Sequence, residues 1–246
     1  MIEFLSVHKQ YEKQIGEKHA HVALRGISFE LKQGQTLGMV GPNGAGKSTS
    51  IRLMMDFIRP TEGEIRILDK APGDPAIRKQ IGYLPETASF PKNLTCMEMA
   101  TFAGITCGMN KKAIAEQSEK WLSRLGLWEH RNRLIRSFSK GMQQRMGFAM
   151  ALLHDPELLI LDEPMSGLDP LGRAEIVALT EGLRSEGKSI LFCSHILTDV
   201  ERLTDEVLIL HKGKVCFHGG LEQIHQQTGE TNLETAFLNV IEGQGR

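Results

Sequence analysis

The octet Gly41-Pro42-Asn43-Gly44-Ala45-Gly46-Lys47-Ser48 constrains this chain more than any other stretch. It matches Gly-x-x-x-x-Gly-Lys-[Ser/Thr] at every fixed position. The apolar run Leu37-Gly38-Met39-Val40 before it reads as a strand, and Ser50 to Met55 after it reads as a helix. A chain written this way must fold a strand, a tight turn and a helix in succession. Backbone N–H groups of such a turn converge on an anion. The helix N-terminus adds partial positive charge at the same point. Lys47 is placed to reach the outer phosphates of a nucleotide, and the Ser48 hydroxyl to ligate Mg²⁺. Thr49, the residue before that helix, counts with the octet as nucleotide-binding. An accidental Gly-rich turn would not carry the strand and the helix at the right offsets. The octet therefore implies a nucleoside triphosphate site.

The rest of the chain alternates strand and helix patterns. Ile2 to Val7, Ile27 to Leu31, Glu64 to Leu68 and Gln80 to Leu84 read as strands, with a polar loop from Glu12 to His21. From about Thr87 to Ser137 strand signals vanish, and Ile114, Trp121, Leu122 and Leu125 fall at helical spacing. Strands return at Glu157–Leu161, Ser189–Cys193 and Glu206–Leu210, and Gly213 turns the chain into Lys214–Phe217. Leu233 to Ile241 reads as a short amphipathic helix. Alternating elements predict an α/β fold with a mainly parallel sheet, an antiparallel β portion and an inserted helical lobe. We expect one domain over 1–246, with residues 87–150 as a helical subdomain.

A second group of residues belongs to the same site. Leu158-Leu159-Ile160-Leu161 ends in Asp162-Glu163. A buried parallel strand that ends in acid presents that acid at the sheet edge where the phosphate loop opens. Asp162 is expected to hold Mg²⁺, and Glu163 to act as general base on water. Ser194-His195 follows a third apolar strand at the same edge, where an imidazole can donate to a phosphate or order the water. His19 and His21, in the polar loop, lack acidic or Cys partners at ligand spacing and read as solvated. Met142, Met146 and Met150 recur every four residues and read as a packing helix face.

Composition excludes other classes. The net charge of −1 gives no basic footprint, so no nucleic-acid partner is expected. Four scattered cysteines form no C-x-x-C pair and read as reduced thiols. No apolar run nears the ~18 residues of a membrane span, and the N-terminus lacks the pattern of a signal peptide. A soluble chain is expected; if it works at a membrane, another chain supplies the span.

Taken in order, these motifs resemble the ATP-binding subunit of an ABC transporter over nearly the whole chain. Phe138-Ser139-Lys140-Gly141-Met142-Gln143-Gln144-Arg145 is similar to that family's signature, Leu-Ser-Gly-Gly-Gln-x-Gln-Arg. Ser166-Gly167-Leu168-Asp169 looks like its D-loop, His195 like its switch histidine and Tyr11 like the aromatic residue that stacks on adenine. Glu86 takes the place of the Q-loop glutamine. Phe138, Lys140, Met142 and Glu86 are departures. Ser139 and Gly141, which carry the signature's phosphate contact, remain. Glu86 can ligate Mg²⁺ but cannot donate a hydrogen bond when ionised.

The resemblance implies a P-loop NTPase core, with ATP and Mg²⁺ as nucleotide and metal. It implies a head-to-tail homodimer in which Ser139, Gly141 and Asp169 of one protomer serve the other's nucleotide. Lys47, Glu86, Glu163 and His195 are its expected catalytic residues. It further implies a transmembrane permease partner that the lobe would contact, and a place at the cytoplasmic face of the inner membrane. The Ser-Lys-Gly-Met form, Gly82-Tyr83-Leu84-Pro85-Glu86 and the ending Asn232 to Leu238 are similar to a bacterial exporter subgroup. A translation or repair ATPase would add a second cassette or a long coiled coil. A kinase would add an acceptor site and lid, and a GTPase a guanine reader. None is present in the sequence. A purely regulatory nucleotide binder fits poorly with Lys47, Asp162, Glu163 and His195 all in place.

Overall fold

The computed structural model describes residues 1–12 and 20–243. His19, and most of the polar loop expected between Glu12 and His21, lie outside the described residues.

The fold rests on two sheets. Strands β1 (Ile2–Tyr11) and β2 (His21–Leu31) pair antiparallel. Both run further than their apolar cores suggest, because cross-strand pairing carries their polar ends as far as the Tyr11–His21 pair. Next come β3 (Thr36–Val40), α1 (Lys47–Met54), β4 (Glu62–Ile67), α2 (Pro75–Arg78) and β5 (Ile81–Leu84). The helices α3 (Cys96–Thr106), α4 (Lys111–Arg124) and α5 (Lys140–Leu152) follow. The chain continues through β6 (Leu158–Asp162), α6 (Pro170–Ser185), β7 (Ser189–Cys193) and α7 (Leu197–Leu203). It closes with β8 (Glu206–His211), β9 (Lys214–Gly220), α8 (Leu221–Thr228) and α9 (Leu233–Gly243).

The main sheet has six strands in the order β5-β6-β7-β3-β8-β9. Every neighbouring pair is parallel except the β8–β9 hairpin. The second sheet is antiparallel, in the order β2-β1-β4. An α/β fold with a parallel core and an antiparallel portion is what the alternating patterns predict. Strands β3, β6 and β7 are buried along their whole length. That is why they read as unbroken apolar runs rather than alternating ones. Asp162 is the last residue of β6 itself, one place later than the apolar run suggests.

Helices α3, α4 and α5 pack on one another, and α5 also lies on β5. Thr95 caps α3 in a reciprocal capping box with Glu98, and Asn110 caps α4 through Ala113 N–H. Ile114, Trp121, Leu122 and Leu125 face inward together. Met146 is fully buried, and Met142 and Met150 pack against the same core. Two short helices, α2 and α8, have too few apolar positions for a periodic signal, although Asp74 and Pro75 mark the start of α2. Among the described residues no helix is long and apolar enough to cross a membrane.

Candidate functional site

Three adjacent strands build the site. The order β6-β7-β3 sets the ends of these strands side by side at one edge of the sheet, in register: Asp162 pairs Cys193, and Cys193 pairs Met39. Just past those ends come Glu163, His195 and the phosphate loop. The sequence places these residues 32 positions or more apart in the case of the acid and the imidazole; parallel pairing closes that gap.

The phosphate loop is a concavity of about 140 Å³ lined by His21, Ala23 and Asn43 through Thr49. Gly44 and Gly46 adopt φ of 77° and 114°, conformations that cost an L-residue free energy. Gly46 is also held close to β2: a Cβ there would sit 2.6 Å from Leu24 Cδ2. Lys47 Nζ donates to the carbonyl oxygens of Gly41 at 2.5 Å and Pro42 at 3.3 Å. Its ammonium thus lies over the loop that carries it. Tyr11 hydroxyl lies 3.3 Å from Thr49 Oγ1, so the aromatic ring borders the start of α1. The turn of the β8–β9 hairpin ties the two sheets together here. Gly213 N donates to Ala45 O at 3.0 Å, and Arg25 N donates to Gly213 O at 2.8 Å.

Asp162 is 8% exposed. Burial pushes its carboxyl up to about 6; a hydrogen bond from the Cys193 thiol and the charge of Lys47 oppose this, while the charges of Glu86 and Glu163 add to it. Such a carboxylate gains from a cation beside it. Among the described residues no three His, Cys, Asp or Glu gather into a metal-holding group. A single buried carboxylate such as Asp162 suits Mg²⁺, which takes one or two protein oxygens and fills its other positions with water and phosphate.

Glu163 sits in the left-handed region at φ 49°. Its N–H donates to Cys193 O at 2.9 Å, and its Oε2 lies 2.7 Å from His195 Nδ1. The His195 side chain is 66% exposed while that of Glu163 is 13% exposed. The carboxylate is therefore anchored, and the imidazole stands at the open side. Glu86 is exposed just beyond β5, close enough for its charge to act on Asp162.

The signature lies apart from this cavity. Ser139 caps α5, accepting from Met142 N at 3.2 Å, and Asp169 caps α6, accepting from Gly172 N at 3.0 Å. These two caps pack against each other's segments. A Cβ on Gly167 would fall 2.7 Å from Lys140 Cδ, and one on Gly141 3.5 Å from Leu168 Cδ2. Ser139, Gly141 and Asp169 thus share one face, and none of them lines the phosphate-loop cavity.

Two residues escaped the sequence reading. Gln144 is buried and donates from Nε2 to Pro164 O at 3.0 Å, joining α5 to the residue after Glu163. His21 is exposed, as expected for a solvated residue, but it lines the phosphate-loop cavity beside Tyr11. Spacing to other ligands along the chain could not reveal that, because its neighbours are brought by strand pairing. A burial pattern reading polar inside a helix could have flagged Gln144.

The family profile described as ABC transporter matches residues 24–166, more than half of the chain. The chain belongs to the ABC transporter family. It is an ATP-binding subunit with ATPase activity. It is 33% identical over 223 residues to the ABC transporter ATP-binding protein NatA of Bacillus subtilis, covering 89% of this chain and 90% of NatA. It is 41% identical over 192 residues to the bacitracin transport ATP-binding protein BcrA of Bacillus licheniformis, covering 77% of this chain and 62% of BcrA. Against YxlF of Bacillus subtilis, an ABC transporter ATP-binding protein, identity is 38%, over 87% of this chain and 71% of YxlF. Two further relatives, from Synechocystis and Nostoc, are covered over only 64% and 61% of their length. Among solved structures, an ATP-binding subunit of an ABC transporter superposes with a TM-score of 0.89 at 29% identity, covering 98% of this chain and 99% of that one. A dimeric bacterial ABC transporter cassette gives 0.80 at 26% identity, covering 90% of this chain and 99% of that one.

Proposed function

We propose that this subunit powers a bacterial ABC exporter, working as a homodimer on a separate transmembrane permease. One observation carries the dimer. The sequence carries one phosphate loop and one signature, and none of Ser139, Gly141 and Asp169 lines the phosphate-loop cavity among the described residues. A head-to-tail pair would bring the Ser139–Gly141 face of one protomer to the cavity of the other. That a related cassette is dimeric supports the same arrangement. Likeness to a bacitracin transport protein supports a transport role; export as the direction rests on the resemblance of the Ser-Lys-Gly-Met form and of Gly82 to Glu86 to the exporter subgroup.

Within each composite site the residues divide the work. Residues Gly41 to Thr49 hold the phosphates through N–H groups and the Lys47 ammonium, which exchanges its loop carbonyls for phosphate oxygens. Tyr11 supports the base. Ser48 and Asp162, with Glu86 nearby, would hold Mg²⁺, which when bound spreads charge across the phosphate oxygens. Glu163 takes the proton of the attacking water. His195, hydrogen-bonded to Glu163 through Nδ1, keeps Nε2 for the outer phosphate or the water. We read the chain as one ATP-binding domain whose residues 87–150 form the helical subdomain. Phe102 and Ile105 of α3, at 57% and 62% exposed, are apolar surface suited to a permease helix. Such a subunit sits at the cytoplasmic face of the membrane through its permease.

The shared site is tested by complementation. Lys47→Ala damages the cavity and Ser139→Arg damages the signature. A heterodimer of the two variants keeps one undamaged composite site. ATP binding at that site, absent from either homodimer, is expected. Equilibrium binding on purified heterodimers that shows no recovery would sink the head-to-tail assignment.

A further inference from the structure

Strand β2 is the edge strand of its sheet, beside β1. Its pairing with β1 slips between the Lys9–Leu24 and Gln10–Val22 pairs, which leaves Ala23 without a partner across the ladder. Bulges of this kind bend a strand and redirect its side chains, and they recur beside functional sites. The Gly213 bridge between Ala45 and Arg25 then fastens this bent end to the phosphate loop. Ala23 O lies against Gly46, only 3.1 Å from where a Cβ would be. The result is that Ala23 and His21 form one wall of the cavity whose other walls are Asn43 to Thr49. Ala23 is small and leaves the wall open. His21 supplies an exposed imidazole over it.

The ring of His21 lies beside that of Tyr11, with centroids 6.3 Å apart and planes at 23°. A cross-strand pair of this kind stabilises a hairpin modestly, by about 0.2–1 kcal/mol. That role would be met by any ring and would not need a cavity. The cavity is lined by the residues whose N–H groups attract anions, and imidazole offers at least one N–H donor in either protonation state.

We infer that His21 is a further nucleotide-binding residue, donating a hydrogen bond to the phosphate chain in the cavity it lines together with Lys47. The inference rests on the ATP site described above. Tyr11 takes the base, and His21 joins the base end of the site to the phosphate end. A bulge at Ala23 and the Gly213 bridge make the contact possible.

The test measures equilibrium binding of ATP, tripolyphosphate and adenosine to the full chain and to His21→Ala, His21→Phe and His21→Gln. Thermal unfolding without nucleotide checks that each variant is folded. A lost hydrogen bond to a charged group predicts about a 10-fold loss of ATP affinity in both Ala and Phe variants. Tripolyphosphate should weaken in parallel, adenosine should not, and Gln, which keeps an N–H donor, should recover most of the loss. Wild-type ATP affinity in the Phe variant would reduce His21 to a ring beside Tyr11 and overturn the inference. So would equal losses for adenosine and ATP, or no loss in any variant. A wild-type chain that bound no ATP would overturn the ATP site itself, a result distinct from these.

Discussion

Replacing Glu163 separates its chemistry from its backbone. The residue holds φ at 49°, where an L-residue costs roughly 1–2 kcal/mol and glycine costs none. Its carboxylate accepts from His195 at 2.7 Å. That contact involves a largely exposed imidazole, so its loss costs less than about 1 kcal/mol. Glu163→Ala and Glu163→Gly both lose this contact and the base. They differ in one respect: alanine keeps a Cβ in the left-handed region, and glycine does not. The extra chain entropy of glycine offsets part of the relief, by about 0.5–1 kcal/mol. Glycine should still come out ahead of alanine by about 1 kcal/mol, or ~2–4 °C in melting temperature for a chain of this size. Hydrolysis should fall ~10²–10⁴-fold in both, the usual cost of a missing general base. Glu163→Gln keeps shape and strain, so it should match wild type in melting, bind ATP and accumulate as a closed dimer. Calorimetric melting without nucleotide, beside a phosphate-release assay, reads all of this. If alanine melts at or above glycine, the backbone at 163 is not strained in the way argued. Wild-type turnover in Glu163→Gln would remove Glu163 as the base.

Gln144→Leu leaves the buried Pro164 carbonyl without its donor, so unfolding free energy should drop by about 1–3 kcal/mol; an unchanged urea midpoint would show that the link to α5 carries no energy. Glu86→Gln removes a negative charge that acts on Asp162, and the Mg²⁺ dependence of hydrolysis should shift without loss of fold; an unmoved Mg²⁺ titration would make Glu86 a bystander. Charged replacements at Phe102 and Ile105 should release the subunit from permease-containing membranes and spare ATP binding, as co-fractionation would read; a complex unaffected by both would move the permease contact elsewhere.

The phosphate loop was legible because everything it needs is local. Strand, glycines, Lys47 and helix follow within about two turns of chain, and each residue type carries its own conformational demand. Asp162 and Glu163 were legible for a related reason. An apolar run that ends in acid has one low-energy place in a parallel sheet, at the strand's C-terminal edge. His21 was not legible, because its position depends on three remote events: the Tyr11 pairing, the bulge at Ala23 and the turn at Gly213. The same holds for Gln144, whose partner Pro164 is brought by the packing of α5 over the end of β6. Helix α8 was missed because eight residues with one fully buried apolar position, Ile224, carry almost no periodic signal.

The two helix caps on the signature face divide chemically, although sequence resemblance groups them. Ser139 Oγ accepts from Met142 N, and a hydroxyl that accepts still has a proton to donate. Capping α5 and meeting a phosphate are therefore compatible in one residue, and the N–H groups at the start of α5 point the same way. Asp169 also caps its helix, through Gly172 N. An ionised carboxylate has no proton to donate and repels a phosphate at short range. What the structure gives Asp169 is a positioning role: it fixes the start of α6, on whose preceding turn Leu168 lies close to Gly141. Lys140, with its stem folded along Gly167, brings positive charge to that same turn where the family pattern has glycine. The departure from glycine at 140 thus adds a cation beside Gly167, on the turn that leads to Asp169.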